Sequence, residues 1–156
     1  MLRRVLPITA LILLAGCGAL VEEDVTGEIR DDAIDLEVDT SHHSIWLELT
    51  NAGTIPCELG VVLTDAPHGM PVVDGRADLG SATDPEAERY PMLAYTEIDG
   101  VVVPSEGNLT VTVPPGSVAR LQLGFIGIPD RGEMVILCND PGDYEAGRYA
   151  VLRFNR

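Results

Sequence analysis

Three cysteines are the residues of this chain with the widest choice of chemistry. Cys57 stands in segment 51–65, which reads NAGTIPCELGVVLTD, and Cys138 opens segment 138–148, which reads CNDPGDYEAGR. A thiolate can ligate a soft metal ion or act as a nucleophile, and thiols can be oxidised to disulfides. The sequence contains no pattern typical of a hydrolytic nucleophile, a phosphate-binding loop or a zinc protease. We therefore expect a binding or structural site and no enzyme activity.

Segment 138–148 resembles the copper-binding loop of cupredoxins, the small blue-copper electron carriers, which reads Cys-Asn-x-Pro-Gly-His-Tyr-x-Ala-Gly-Met. Segment 51–65 is similar to the other half of that site, Asn-x-Gly-x-x-Pro-His-Glu-Leu followed by an apolar strand and Thr-Asp. In the family, one Cys, two His and one Met ligate copper. Cys138 keeps the position of the family's cysteine. The other three ligand positions hold Cys57, Asp143 and Arg148.

The resemblance implies the scaffold of a copper site without most of its ligands. Asp143 offers a hard oxygen, and Arg148 is permanently cationic and would repel Cu²⁺. Because ligands of one ion converge on one point, the resemblance implies that the sulfurs of Cys57 and Cys138 meet. We expect them to form a disulfide in place of the metal, with no copper bound. A salt bridge between Asp143 and Arg148 is a further hypothesis.

Other ligand sets stay open as alternatives. The two motif cysteines, if reduced, could bind Cu(I) or Zn²⁺ with a borrowed histidine. The scattered candidates are His42, His43, His68 and Met70. Surface histidines are more often solvated than ligating, and no Met/His-rich tract indicates copper sequestration. A redox-active disulfide is also conceivable, but no Cys-x-x-Cys motif supports it.

The N-terminus resembles a bacterial lipoprotein signal. Two arginines precede the apolar run 5–14, which is too short to span a bilayer as a helix, and small residues precede Cys17. In that class the cysteine thioether carries diacylglycerol. We expect residues 1–16 to be a signal peptide, Cys17 to be lipidated, and 17–32 to be a flexible acidic tether. If Cys17 carries the lipid, two cysteines remain, an even number that is compatible with one disulfide.

The charge limits the partners. The chain has 25 acidic and 10 basic residues, a net charge of −15, and loss of Arg3 and Arg4 with the signal would give 8 − 25 = −17. Nucleic acid phosphates and anionic lipid headgroups would be repelled, so the lipid must provide the membrane attachment. A basic protein partner in the cell envelope is compatible with this charge, although a solvated acidic surface is the simpler interpretation.

The elements that must position the site read as strands. Alternating apolar residues occur in 34–38, 45–49, 109–113, 121–125 and 149–154. A continuous apolar run at 59–63 predicts a strand covered on both sides, and the run 135–138 leads to Cys138. Short strands with Gly/Pro turns predict an all-β sandwich over 33–156, in agreement with the Greek-key sandwich of cupredoxins. Residues 66–100 read as an irregular insertion with one short helix at 84–89.

Together these features predict a lipid-anchored, cupredoxin-like domain outside the cytoplasm, facing the periplasm or the exterior. Its function would be structural or partner-binding, because a fold does not transmit function once its site has changed. The alternative is a copper-binding electron-transfer protein with an altered ligand set. The two differ in whether Cys138 is oxidised or is a free thiolate with a bound ion.

Overall fold

The computed structural model describes residues 23–36, 39–40, 44–64, 66–82, 95–103, 110–124 and 131–155. Thirteen strands and one helix lie in these residues. The strands are β1 (Glu23–Ile29), β2 (Ile34–Asp35), β3 (Asp39–Thr40), β4 (Ser44–Asn51), β5 (Cys57–Leu63), β6 (Val72–Val73), β7 (Arg76–Ala77), β8 (Tyr95–Ile98), β9 (Val101–Val102), β10 (Thr110–Val113), β11 (Val118–Gly124), β12 (Arg131–Cys138) and β13 (Tyr149–Asn155). The helix α1 spans Leu79–Ala82.

Two large sheets form a sandwich. The six-stranded sheet has the order β2-β1-β4-β11-β8-β9, and the five-stranded sheet has the order β10-β5-β12-β13-β3. Several neighbours are far apart in the chain, as where β4 pairs with β11 and β5 pairs with β12. This crossed connectivity is that of a Greek-key sandwich. The predicted all-β fold is therefore confirmed.

The core follows the predicted alternation. In β4, Ile45, Leu47 and Leu49 are fully buried between the sheets, while the residues between them face outward. Strand β5 is buried on both of its faces, as its continuous apolar run predicts. Leu59 belongs to the cluster between the sheets, whereas Val62 belongs to a second cluster on the outer side of the five-stranded sheet. That second cluster includes Met70, Ala77, Leu79 and Tyr144.

The predicted tether is wrong from Glu23 onward. Residues Glu23–Ile29 form β1, which pairs in parallel with β4 along its whole length. Val25 and Ile29 are buried in the core, while Asp24 and Glu28 are exposed. Asp24 and Glu28 lie on one face of a strand whose other face buries Val25 and Ile29, so the domain includes β1 and extends ten residues before the predicted start at residue 33. The predicted signal peptide and the lipidation site Cys17 lie outside the described residues.

The predicted insertion contains more regular structure than expected. A small hairpin of β6 and β7 and the short helix α1 cover the outer side of the five-stranded sheet. Strand β8 pairs with β11 and belongs to the main six-stranded sheet, so the irregular segment ends before residue 95. The helix predicted at 84–89 lies outside the described residues. In the described part of the chain, no helix is long and apolar enough to cross a membrane.

Of the segment predicted as one strand at 34–38, Ile34–Asp35 forms the described strand β2, and β3 follows at Asp39–Thr40. Strand β2 pairs with β1 in the six-stranded sheet, and β3 pairs with β13 in the five-stranded sheet. Residues 37–38 are not among those described.

Candidate functional site

The two motif cysteines form a disulfide at the end of the five-stranded sheet. Cys57 begins β5 and Cys138 ends β12, and Cys138 lies opposite Leu59, so the cysteines are diagonal neighbours on adjacent strands. Their Cα atoms are 5.1 Å apart, within the usual range for a bridged pair. Both side chains are fully buried in the cluster between the sheets. The predicted pairing is confirmed.

The loop after Cys138 folds back on itself. Gly142 and Gly147 have φ angles of 89° and 90°, a region that glycine adopts without the steric cost other residues meet. The N–H of Ala146 donates to the carbonyl of Gly142 at 2.9 Å, which closes the turn. The loop ends where the N–H of Cys138 donates to the carbonyl of Arg148 at 3.1 Å. The two motif glycines therefore bring the last ligand position back beside the cysteine.

Arg148 is buried between this loop and the residue that follows β1. Its side chain is 1% exposed, and its Nη1 donates to Oδ2 of Asp143 at 2.8 Å. Its Nε donates to the carbonyl of Arg30 at 2.8 Å, whereas its Nη2 is buried and has no hydrogen-bond partner among the described residues. The hypothesised ion pair therefore exists. It connects two positions that match copper ligands in the cupredoxin motif, and Arg148 also connects them to the residue after β1.

Asn51 shapes the loop that leads to Cys57. Its side chain is fully buried, and its Nδ2 donates to the carbonyls of Ile55 at 3.0 Å and Val113 at 2.9 Å. Its Oδ1 accepts from the N–H of Gly53 at 3.1 Å. The motif asparagine thus satisfies backbone groups that the turn leaves without strand partners, and it fixes the approach to the disulfide.

Asp31 is a site residue that the sequence did not reveal. Its Oδ1 accepts from the N–H of Thr54 at 2.7 Å and of Ile55 at 3.3 Å, and its Oδ2 accepts from the Thr54 hydroxyl at 2.8 Å. These bonds, led by the Thr54 N–H and assisted by the charge of Arg148, hold the pKa of Asp31 below its ordinary value. A Cβ at Gly53 would lie 2.4 Å from Oδ1, so the carboxylate requires the motif glycine.

A second network lies on the outer side of the same strands. The N–H of Asn139 donates to the carbonyl of Glu58 at 2.8 Å, and its side-chain Oδ1 accepts from the N–H of Ala77 at 2.8 Å. Arg76 pairs with the carboxylate of Glu58 and also donates to the carbonyl of Asn139 at 2.7 Å. The bond from Arg76 lowers the pKa of Glu58. Both motifs therefore also anchor the β6–β7 hairpin, beside an open cleft of about 420 Å³.

These side chains do not match the donors of a type 1 copper centre, which needs a thiolate, two imidazoles and a weak thioether. Both sulfurs are bonded to each other, and Arg148 cannot ligate a metal. Within the described residues, no group of three His, Cys, Asp or Glu side chains is arranged to hold a metal ion.

The predicted substitute ligands lie elsewhere. His68 is exposed, and its Nδ1 shares a hydrogen bond of 2.7 Å with the hydroxyl of Tyr149 on the outer side of the five-stranded sheet. Met70 is buried in the second cluster on that side. The disulfide lies on the opposite side of the sheet, so the structure does not bring these residues together with it. His42 and His43 lie outside the described residues.

Comparison with known proteins supports the fold. No protein-family model and no curated protein matches the chain. Among solved structures, a copper-containing nitrite reductase from Thermus scotoductus is similar over 88% of this chain and 31% of its own, with 11% identity and a TM-score of 0.51. The McoA multicopper oxidase from Aquifex aeolicus is similar over 99% of this chain and 32% of its own, with 12% identity and a TM-score of 0.49.

A laccase from Pediococcus acidilactici is similar over 98% of this chain and 32% of its own, with 11% identity and a TM-score of 0.45. This chain thus spans about a third of the length of these proteins. Proteins of these classes contain cupredoxin-like domains. The likeness to the nitrite reductase, together with the sheet topology, shows that the chain has a cupredoxin-like β-sandwich, and at this identity it carries the fold alone.

Proposed function

We propose that this chain is a lipid-anchored, cupredoxin-like module of the bacterial cell envelope that works without type 1 copper, as a structural or protein-binding component. The observation that carries the proposal is the Cys57–Cys138 disulfide. A blue-copper centre requires the cysteine sulfur as a thiolate. A sulfur within a disulfide has no negative charge and no proton to lose, so it cannot take that role.

The charge of the site supports the same conclusion. The guanidinium of Arg148 is buried beside Asp143, the position of a copper ligand in the cupredoxin motif, and among the described residues it forms an ion pair with Asp143. A copper ion placed there would meet a fixed positive charge at short range in a region of low dielectric. The carboxylate that could attract the ion is already neutralised by the arginine.

The disulfide also stabilises the folded state, as a bound metal ion would. The cysteines are 81 positions apart, so the bridge closes a loop of 82 residues. In the chain-entropy model, such a closure stabilises the folded state by about 4.5 kcal/mol. The module would therefore keep its loop end rigid without an ion, which suits a scaffold or binding role.

The envelope location is supported by the N-terminal sequence and by the oxidised cysteines. Disulfides persist outside the cytoplasm, and a diacylglycerol at Cys17 would hold the acidic domain at a membrane that repels it. Metabolic labelling with a palmitate analogue tests this in a bacterial host. The full chain should incorporate the label, and Cys17→Ser should not. Equal labelling of both chains would contradict the anchor.

The copper-free site is tested by intact mass and metal content on one sample. The chain from Gly18, which retains all of β1, is purified without reductant and its mass is measured, and it is then incubated with excess Cu²⁺ and desalted. We expect a mass two hydrogens below the reduced value and no retained copper. The fully reduced mass, with stoichiometric copper and an intense visible thiolate-to-copper band, would instead support the alternative of an electron carrier with an altered ligand set.

A further inference from the structure

The chain's single tryptophan lies outside the core. Trp46 is on the outward face of β4, between the buried Ile45 and Leu47, and is partly exposed. Tyr95 meets its ring edge-on with centroids 5.5 Å apart, and the guanidinium of Arg120 lies over the ring at 4.4 Å from its centroid. We call Trp46, Tyr95 and Arg120 the aromatic platform.

Strand register orders this platform. Gln122 of β11 lies opposite Trp46 on one side and opposite Tyr95 on the other, so the two rings meet across β11. The hydroxyl of Tyr95 donates to a carboxylate oxygen of Glu97. Arg120 of β11 lies opposite Glu97 of β8, so it is next to the carboxylate that accepts the hydrogen bond from Tyr95. The three side chains are therefore held by mutual contacts and lose little conformational entropy on binding.

Carboxylates surround the platform on the same face of the six-stranded sheet. On the strands described for this face, the acids are Asp24, Glu28, Asp35, Glu48 and Glu97. Two arginines balance them in part. Arg30 pairs with Glu28 at 3.0 Å and with Asp35 at 3.1 Å, and Arg120 lies 3.7 Å from Asp24. The face thus combines an ordered aromatic and arginine centre with a rim of net negative charge.

We propose that this face docks a protein partner that presents Lys or Arg side chains around an uncharged centre. The inference rests on the proposed function as a protein-binding module, and it names the surface and the class of partner. Trp, Tyr and Arg are the residues that most often dominate binding energy at protein interfaces, and they act best inside a polar rim. The acidic rim would attract a basic surface and align it over the platform.

The same charges disfavour a second copy of this chain. A symmetric dimer through this face would oppose identical acidic rims, and like charges across an interface are costly. A saccharide would stack on an open aromatic ring, whereas the Trp46 ring is in contact with both Tyr95 and Arg120. The observations therefore favour a basic protein surface over either of these occupants.

Site-specific photocrosslinking in the producing bacterium tests the proposal with the full chain. A benzophenone amino acid is placed at Thr26 or Thr50 on this face, and at Thr112 on the other sheet as a control. We expect one protein to be captured from both face positions and not from Thr112. That protein is then purified and titrated into the chain at low and high salt.

The titration decides the outcome. Trp46→Ala and Arg120→Ala should each weaken binding at least about tenfold, Thr112→Ala should leave it unchanged, and added salt should weaken it. Retention of the Cys57–Cys138 disulfide and of a cooperative unfolding transition shows that each variant is folded, and Arg120→Ala keeps the tryptophan.

Binding unaffected by both platform variants would overturn the proposal. So would capture of a second copy or a glycan, or no face-specific adduct. Each of these results is independent of the copper and thiol measurement, so failure here is distinguishable from failure of the proposed function.

Discussion

Arg148 and Asp143 form an ion pair of 2.8 Å at two positions where cupredoxins hold copper ligands, and the arginine is 1% exposed while the aspartate is 18% exposed. The burial of the two partners is unequal. A carboxylate left alone there can still reach water, whereas a guanidinium left alone cannot. Loss of Asp143 and loss of Arg148 should therefore lower the free energy of unfolding by different amounts.

We expect Asp143→Ala to lower the free energy of unfolding by about 3 kcal/mol, because it leaves the buried charge of Arg148 without its partner. Arg148→Met should cost less, since the remaining carboxylate is partly hydrated. Urea unfolding monitored by the emission of the single tryptophan measures both. Glu133→Ala breaks the exposed pair with Arg153 and should cost under about 1 kcal/mol. Equal costs for all three variants would show that burial of the arginine does not matter.

The contact between Gly53 and Asp31 gives a second prediction. A methyl group at Gly53 would lie 2.4 Å from Oδ1 of Asp31, so Gly53→Ala must displace the carboxylate from Thr54. We expect the free energy of unfolding to fall, because the displaced carboxylate loses its hydrogen bonds to Thr54 and Ile55. Gly69→Ala is the matched control, because a Cβ there meets no atom within 4 Å. A similar loss at both glycines would show that the contact with Asp31 is not its cause.

The same carboxylate should make stability depend on pH. Hydrogen bonds from Thr54 hold the pKa of Asp31 below its ordinary value of 3.8, so the charged form stabilises the fold above that pH. That contribution is lost as pH falls below the ordinary value and through the folded-state pKa. The stability difference between the native chain and Asp31→Asn should thus be constant near neutrality and shrink below about pH 4. Asp32→Asn, at the next residue, is the control, and a difference independent of pH would refute this assignment.

The sequence revealed the contacts that lie within one loop or between two motifs that resemble a known site. Asp143 and Arg148 share one loop, so their pairing followed from charge and spacing, and the disulfide followed from the resemblance of two motifs to a single site. Asp31 was missed because its partners lie more than twenty residues away and its own segment looked like a tether. The acids of β1 obscured a period-two pattern with only two buried positions, Val25 and Ile29. That segment is a strand because it pairs with β4, and the composition of a segment does not show which strand it will pair with.

The positions that match the cupredoxin ligands give the last prediction. If residue identity rather than the scaffold excludes copper, then Cys57→His, Asp143→His and Arg148→Met together should restore the donor set of the family. Cys138 would then be a free thiolate beside two imidazoles and a thioether, the arrangement that type 1 copper prefers. We expect the triple variant to bind one Cu²⁺ and to show an intense visible charge-transfer band. The double variant that keeps Arg148 should bind copper more weakly, because the guanidinium stays buried at the site. A folded triple variant that binds no copper would show that the backbone of the loops, and not only their side chains, has departed from a copper site.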